Sequence, residues 1–240
     1  MPDQHLTVTT ADGPMDVYEV KPDGDARQAI VVIQEAFGVN EHIEDVTQRF
    51  AAAGYHTVAP ALFHRAGGGS LDDYDNLDFN QLLALFEGVT DDGILMDVDA
   101  ALGVLGGAGF RPDQIGIVGF CFGGRVTFLT AARRTLGAAV GFYGGGIVSA
   151  GHLPFPPLID EVPSLRTPWL GLFGDQDASI PVDDVEQLRT ALHEAPVDAD
   201  VVRYPDAGHG FHCDRRADYH EASARDAWSR ALAWFDAHLS

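Results

Sequence analysis

One segment of the sequence has the pattern of a strained turn that carries a nucleophile. Residues 119–124 read Gly-Phe-Cys-Phe-Gly-Gly and follow an apolar run, so Cys121 stands where a strand would turn into a helix. The flanking glycines leave room for such a turn, because side chains there would collide. Backbone N–H groups at the helix start would favour a thiolate and stabilise an oxyanion. The pattern alone also fits a buried structural cysteine beside a glycine-tolerant turn.

Two further segments supply an acid and a histidine. Asp175 and Asp177 lie directly after one apolar run, and His209 lies between two glycines in the loop after the next. Taken singly, these residues have simpler explanations. An acid can cap the helix that follows it, and a histidine can face solvent. The chain order nucleophile, acid, histidine is, however, the order found in α/β-hydrolase triads. The order and the strand-end positions predict a Cys121–Asp177–His209 triad for nucleophilic acyl transfer.

Strand and helix patterns alternate along the chain and place these segments at strand ends. A hairpin over 5–20 is predicted, with strands at 29–33, 55–59, 115–118, 138–142, 169–173 and 200–204 and helices at 43–53, 93–105, 122–134, 182–192 and 220–238. Repeated strand–helix units predict a single mostly parallel sheet with helices on both faces. Together with the order of the triad, this predicts an α/β-hydrolase fold. No linker divides the chain, so we expect one domain over 1–240. Ligands of such sheets bind beyond the carboxyl ends of the strands, where the three segments lie.

The charge of the chain argues against some classes of partner. Of its 240 residues, 36 are acidic and 15 are basic, which gives a formal net charge of −21. Phosphate groups repel so acidic a surface, which disfavours nucleic acids and anionic membranes as partners. Two cysteines, Cys121 and Cys213, do not make a disulfide framework, and the N-terminus lacks the basic and apolar regions of a secretion signal. We therefore expect a cytoplasmic protein.

The segment 34–40, Gln-Glu-Ala-Phe-Gly-Val-Asn, follows an early strand. Gly-x-Cys-x-Gly-Gly, Gly-x-x-Asp and Gly-His-Gly-Phe segments surround Cys121, Asp177 and His209. Through these motifs, of which 34–40 is the most specific, nearly the whole chain resembles the dienelactone hydrolase family of α/β-hydrolases. The resemblance implies hydrolysis of a lactone or ester through a thioester acyl-enzyme, without a cofactor. It implies Cys121 as the nucleophile, His209 as the base and Asp177 as the residue that orients the histidine.

The resemblance also implies roles for residues next to the nucleophile. Glu35 is expected to contact Cys121 in the resting enzyme, and the backbone N–H groups of Ala36 and Phe122 are expected to form the oxyanion hole. A carboxylate beside the thiol would keep the cysteine protonated until substrate displaces it. The alternative is that Glu35 only holds its loop through backbone N–H groups.

Four residues are candidates for contacting the substrate: Phe37, Arg65, Tyr143 and Phe211. In the family member that hydrolyses dienelactone, an arginine four residues after the histidine helps to hold the substrate carboxylate, and Cys213 takes that position here. That family member has a second such arginine, but the corresponding segment of this chain, residues 72–90, contains no arginine. The remaining candidates for the contact are Arg65, Arg215 and Arg216. We therefore expect neutral esters or lactones to compete well with carboxylate-bearing ones.

Two other functions fit the same residues. A broad carboxylesterase or thioesterase would use the triad on an uncharged substrate, and a catalytically silent member of the fold would only bind a ligand. The complete Cys–Asp–His set argues against the silent form. No metal site is expected at His209, His212, Cys213 and Asp214, because their spacing matches neither a helical pair nor a finger pattern. The expected partner is a small-molecule ester or lactone, and the expected state is a monomer or weak homo-oligomer.

Overall fold

The computed structural model describes residues 1–71, 79–150 and 153–240. Its strands are β1 (Asp3–Thr10), β2 (Gly13–Val20), β3 (Ala29–Ile33), β4 (His56–Pro60), β5 (Ile115–Phe120), β6 (Ala138–Phe142), β7 (Trp169–Gly174) and β8 (Ala199–Tyr204). They form an eight-stranded sheet in the order β1-β2-β4-β3-β5-β6-β7-β8. Strands β3 to β8 run parallel to one another, whereas β1 and β2 pair antiparallel. The predicted α/β fold with a mostly parallel sheet is confirmed.

Helices follow most of the strands in the described part of the chain. They are α1 (Glu41–Ala52), α2 (Phe79–Leu85), α3 (Asp91–Gly107), α4 (Phe122–Arg133), α5 (Val182–Ala191) and α6 (Glu221–His238). All but α2 agree with the sequence prediction to within two residues at each end. Helix α2 is an addition that the sequence pattern did not indicate. None of the described helices combines the length and the apolar character needed to span a membrane.

Strand β5 lies at the centre of the sheet, and helices cover both of its faces. Every residue of β5 is buried. A Cβ added at Gly116 would lie 2.6 Å from the Phe235 ring of α6, and one added at Gly119 would lie 2.1 Å from Gly123 O in α4. Residues 116 and 119 are an odd number of positions apart, so they point to opposite faces. The two glycines thus allow one helix to approach on each side of the sheet.

The carboxyl ends of the parallel strands bring the chemically interesting loops together. Strands β3, β5, β6 and β7 are wholly buried apolar runs, as a sheet covered on both faces requires. Because these strands are parallel to one another and to β8, their carboxyl ends lie at one edge. The loops that meet at this edge are 34–40, 121, 143–146, 175–181 and 205–212.

Candidate active site

Cys121 occupies a strained turn between β5 and α4. Its φ angle is 53°, in the left-handed region that residues other than glycine rarely adopt. A Cβ added at Gly119 would lie 2.1 Å from Gly123 O, and one added at Gly123 would lie 2.5 Å from Ile33 O. Both glycines are therefore needed for the turn, which is the physical reason for their spacing in the sequence.

The thiol of Cys121 faces a histidine and, through it, an acid. His209 Nε2 lies 3.2 Å from Cys121 Sγ, and His209 Nδ1 lies 2.6 Å from Asp177 Oδ2. The acid comes from the loop after β7 and the histidine from the loop after β8. A Cβ added at Gly174 would lie 2.3 Å from Ala207 O, so the missing side chain lets these two loops approach each other. The structure thus brings the three side chains into one row.

Asp177 is fixed by its own loop. Ser179 donates two hydrogen bonds to Asp177 Oδ1, from its backbone N at 2.8 Å and from its Oγ at 2.6 Å, which leaves Oδ2 for the histidine. Burial alone would raise the pKa of Asp177, but His209 and Ser179 outweigh burial and lower it. Sequence reasoning did not single out Ser179. A serine two residues after an acid in a turn is the signal that could have found it.

The electrostatics of the row favour an ion pair. Burial alone would lower the pKa of His209, but Cys121 and Asp177 outweigh burial and raise it to about 10. A protonated imidazole in this position would stabilise a thiolate on Cys121. A thiolate paired with an imidazolium is the reactive form of a cysteine nucleophile.

Two backbone N–H groups border the thiol. Phe122 is the first residue of α4, so its N–H has no acceptor within the helix. Ala36 lies in a tight turn that is closed by a 3.3 Å hydrogen bond from Gly38 N to Glu35 O, and its own N–H is not part of that bond. Ala36 and Phe122 both line the cavity that contains Cys121. Donors in these positions can stabilise a developing oxyanion.

The polar side chains at the two ends of the 34–40 segment hold its loop rather than the substrate. Gln34 Oε1 accepts a 3.0 Å hydrogen bond from Leu62 N, which ties the loop to the chain that follows β4. Asn40 Oδ1 accepts from Ile43 N at 3.2 Å and caps α1, and Asn40 Nδ2 donates to Leu71 O at 3.1 Å. The turn that contains Ala36 is therefore anchored at both ends.

Glu35 is fully buried, and neither of its carboxylate oxygens has a hydrogen-bond partner among the described residues. Arg216 Nη1 lies 3.9 Å from Glu35 Oε1. Burial raises the pKa of Glu35, although Arg216, His209 and the nearby Tyr143 hydroxyl, which lacks hydrogen-bond geometry, act against burial. The expected contact between Glu35 and Cys121 is absent as a hydrogen bond, because the sulfur faces His209 instead.

A cavity of about 280 Å³ opens at Cys121 and His209. Most of its wall is formed by apolar side chains: Phe37, Leu82, Phe122, Leu153 and Phe155. Phe37 is thus one predicted substrate contact that the structure places on the wall. The segment 72–90, which contains no arginine, is only partly described, because residues 72–78 lie outside the described residues.

The other three candidates for substrate contact do not line this cavity. The Arg65 guanidinium bonds to Asp97 at 2.5 and 3.0 Å and to Asp12 at 2.8 Å, because the chain after β4 turns it toward α3. Tyr143 and Phe211 are fully buried, with ring centroids 5.3 Å apart, because aromatic rings at these strand ends pack into the core. The structure therefore places these three side chains away from the wall of this cavity, and their contact with a substrate stays a prediction.

Two other arginines line the cavity. Arg216 places its guanidinium 5.7 Å from the Phe37 ring, and a Cβ added at Gly210 would lie 2.8 Å from Arg216 Cζ, so Gly210 makes room for it. Arg125 is nearly fully buried and bonds through both Nη atoms to Asp91, at 2.6 and 3.1 Å. Sequence reasoning named Arg216 as one of three arginines that could make the missing contact to a substrate carboxylate, and it did not single out Arg125. The signal for Arg125 was its position four residues after the nucleophile, on the same helix face.

Comparisons with known proteins point to one family and one fold. A sequence model of the Dienelactone hydrolase family matches residues 15–239. A Salmonella typhimurium protein named "Putative carboxymethylenebutenolidase" is 43% identical over 228 residues, which are 92% of this chain and 82% of that protein. The "Carboxymethylenebutenolidase" of Pseudomonas putida is 29% identical over 204 residues, which are 85% of this chain and 83% of that protein.

A solved structure is similar over nearly the full length of both chains. The crystal structure of a "Putative Dienelactone Hydrolase" from Klebsiella pneumoniae is 40% identical in sequence, has a TM-score of 0.87 and covers 98% of each chain. The family match extends from β2 through α6, so it includes Cys121, Asp177 and His209 together with the strands that carry them.

Proposed function

The chain belongs to the dienelactone hydrolase family and hydrolyses ester or lactone bonds, and we propose that Cys121 is its nucleophile. In this proposal His209 is the base, and Asp177 orients the histidine. The observation that carries the proposal is the row of contacts, 3.2 Å from Cys121 Sγ to His209 Nε2 and 2.6 Å from His209 Nδ1 to Asp177 Oδ2. Residues 1–240 would act as one catalytic domain.

The first half of the proposed reaction forms a thioester. The Cys121 thiolate attacks the substrate carbonyl carbon, and the carbonyl oxygen becomes an oxyanion that accepts hydrogen bonds from the N–H groups of Ala36 and Phe122. His209, protonated beside the thiolate, gives its proton to the leaving oxygen as the C–O bond breaks. An ester loses its alcohol at this step, whereas a lactone opens and keeps its new hydroxyl on the acyl group.

The second half of the reaction releases the acid. The sulfur of a thioester carries no charge, so the contribution of Cys121 to the raised pKa of His209 disappears and that of Asp177 remains. Neutral His209 then takes a proton from a water molecule, whose oxygen attacks the thioester carbonyl. The C–S bond breaks, the thiolate is restored, and Asp177 stabilises the imidazolium that has formed.

Glu35 is proposed to restrain the thiol between turnovers. Its carboxyl is buried near Arg216 and close enough to His209 to feel the charge of the ring. When ionised, it would disfavour a thiolate at Cys121, because two negative charges cannot share a small buried site cheaply. The alternative, a carboxyl that only maintains the shape of its loop, is compatible with the same burial.

The cavity limits the substrate. A volume of about 280 Å³ with mostly apolar walls suits a compact acyl group. Arg216 on the wall could give a substrate carboxylate a charge-assisted hydrogen bond. The expectation that neutral substrates compete well, which depended on the cysteine at position 213, therefore stays a prediction, and Arg216 is the residue that opposes it.

A broader carboxylesterase that prefers uncharged esters is the second candidate. The observation in its favour is the apolar wall formed by Leu82, Leu153 and Phe155, which offers no polar group to the substrate. The two candidates share the nucleophile and differ in how strongly substrate charge affects the KM.

Trapping the acyl-enzyme tests the proposed nucleophile. Rapid acid quenching of the enzyme with an activated ester should give a peptide that contains Cys121 and carries the mass of the acyl group. Cys121→Ala should lower kcat/KM on the order of 10⁴-fold or more. Cys213→Ala is the matched control, because it removes the other cysteine and should keep both adduct and turnover. An adduct on a different residue, or turnover that survives Cys121→Ala, would contradict the proposal.

A further inference from the structure

Three potential metal ligands meet behind the catalytic row. One donor atom each from Glu35, His42 and Cys213 lies within 4.8 Å of the other two. Glu35 and Cys213 are fully buried, and His42 is 2% exposed. The three come from separate parts of the chain: the turn after β3, the first turn of α1 and the loop after β8. The fold therefore assembles a compact group that sequence spacing does not reveal.

Two members of this group have buried polar atoms without hydrogen-bond partners, although Arg216 lies 3.9 Å from one oxygen of Glu35. Neither carboxylate oxygen of Glu35 and neither ring nitrogen of His42 makes a hydrogen bond within the described residues. Buried polar atoms in native proteins are nearly always satisfied, because leaving one unpaired costs about 1–3 kcal/mol. Four such atoms beside a buried thiol indicate that the group binds an ion or molecule that is not part of the chain.

We propose that Glu35, His42 and Cys213 form a binding site for a divalent cation of the zinc class. Carboxylate oxygen, imidazole nitrogen and thiolate sulfur are the ligands that zinc takes in proteins, at about 2.0–2.3 Å. Small side-chain rotations would bring three donors that are already within 4.8 Å of one another onto one ion. A water molecule would complete a tetrahedral shell. This site departs from the sequence expectation of no metal, because its ligands lie far apart in the chain.

The donor set selects the kind of cation. Magnesium and calcium require several oxygen ligands, and this group offers oxygen from one side chain alone. A carboxylate and a thiolate together balance the charge of a divalent ion, so the buried complex would be neutral with a neutral imidazole. Neutrality matters here because an uncompensated charge in so buried a place is very costly.

His212 is a buried neighbour of this group. Its ring centroid is 6.2 Å from that of His42, and it is 2% exposed. It also lines a second cavity of about 280 Å³, together with Asp214 and Trp228.

Cobalt spectroscopy of a variant without the catalytic thiol tests the site itself. Cys121→Ser leaves Cys213 as the sole thiol, so a near-ultraviolet charge-transfer band on adding Co²⁺ would report a bond to Cys213. We expect one equivalent of Co²⁺ to give this band and one equivalent of Zn²⁺ to remove it. Adding His42→Ala should weaken Co²⁺ binding about tenfold or more, whereas the exposed-site control His5→Ala should not. Circular dichroism of each metal-free variant checks that it is folded.

Two outcomes would overturn the site. One is a folded Cys121→Ser protein that gives no band. The other is a band that appears in Cys213→Ser but not in Cys121→Ser, because the metal would then bind Cys121 and His209. Because the spectra are read on an inactive variant, failure of the metal site is separate from failure of the proposed nucleophile.

Discussion

Asp175 and Asp177 lie two residues apart in the loop after β7, and their carboxylates bind different partners. Asp177 Oδ2 lies 2.6 Å from His209 Nδ1. Asp175 accepts two hydrogen bonds of 2.7 Å from Nε and Nη2 of Arg203 on β8. One acid therefore faces the candidate active site, and the other joins the ends of two neighbouring strands.

Replacing each acid separates these roles. Asp177→Asn should lower kcat by about 10³- to 10⁴-fold, because His209 loses both its charge partner and the control of its tautomer. Asp175→Asn, the matched control, should leave kcat nearly unchanged and lower the Tm by a few degrees, since a partly exposed ion pair contributes about 1 kcal/mol or less. Steady-state kinetics and thermal melts measure both effects. If Asp175→Asn is the more damaging change to kcat, the acid has been assigned wrongly.

The meeting of Cys121, His209 and Asp177 could be predicted from the sequence because it depends on backbone topology. Carboxyl ends of parallel strands share one edge of the sheet, so side chains just after β5, β7 and β8 meet there. Cys121, Asp177 and His209 stand at those ends. The strands themselves were predictable, because buried parallel strands are continuous apolar runs.

The cavity wall could not be predicted, because it depends on how long side chains pack. Arg65 and Arg216 both lie outside the regular strands and α-helices, and the residues around each one do not show where its side chain points. Asp97 on α3 binds Arg65. The missing side chain at Gly210 makes room for Arg216 at the cavity. Which arginine faces the substrate is therefore decided by tertiary packing, which a single sequence does not display.

Arg216→Gln tests the role of substrate charge. The KM for a carboxylate-bearing lactone should rise by about 10- to 150-fold, the loss of a charge-assisted contact worth about 1.5–3 kcal/mol. The KM for a neutral ester of the same size should change little. Arg215→Gln is the matched control, because the Arg215 guanidinium pairs with Glu41 at the surface. Equal losses on both substrates would show that Arg216 supports the site rather than the carboxylate, and would favour the uncharged-ester alternative.

The protonation of His209 should depend on the charge of the sulfur beside it. Cys121 and Asp177 raise the pKa of His209 to about 10. Alkylating Cys121 with iodoacetamide gives a neutral thioether, as acylation gives a neutral thioester, so the pKa of His209 should fall toward its ordinary value of about 6.5. NMR titration of the imidazole, assigned with His209→Gln, measures this shift. A pKa that stays near 10 after alkylation would mean that the thiolate does not hold the proton on the ring, and that the proposed switch to a base fails.

Glu35 should slow alkylation of Cys121 only where its carboxyl is ionised. Burial raises the pKa of Glu35, so at low pH the wild-type side chain is neutral and Glu35→Gln should react with iodoacetamide at the same rate. Above that raised pKa the wild type carries a charge that opposes the thiolate. The variant should then react about five- to tenfold faster, the effect of roughly 1 kcal/mol of repulsion.

The measurement uses chelator-treated enzyme with Cys213→Ala in both proteins, so that Cys121 is the one thiol that reacts. Glu41→Gln is the matched control, because Glu41 is an exposed carboxylate six residues away that pairs with Arg215. Its labelling rate should follow the wild type at every pH. Equal rates for Glu35→Gln and the wild type across the whole range, together with a lower Tm, would mean that the buried carboxyl maintains its loop and does not restrain the thiol.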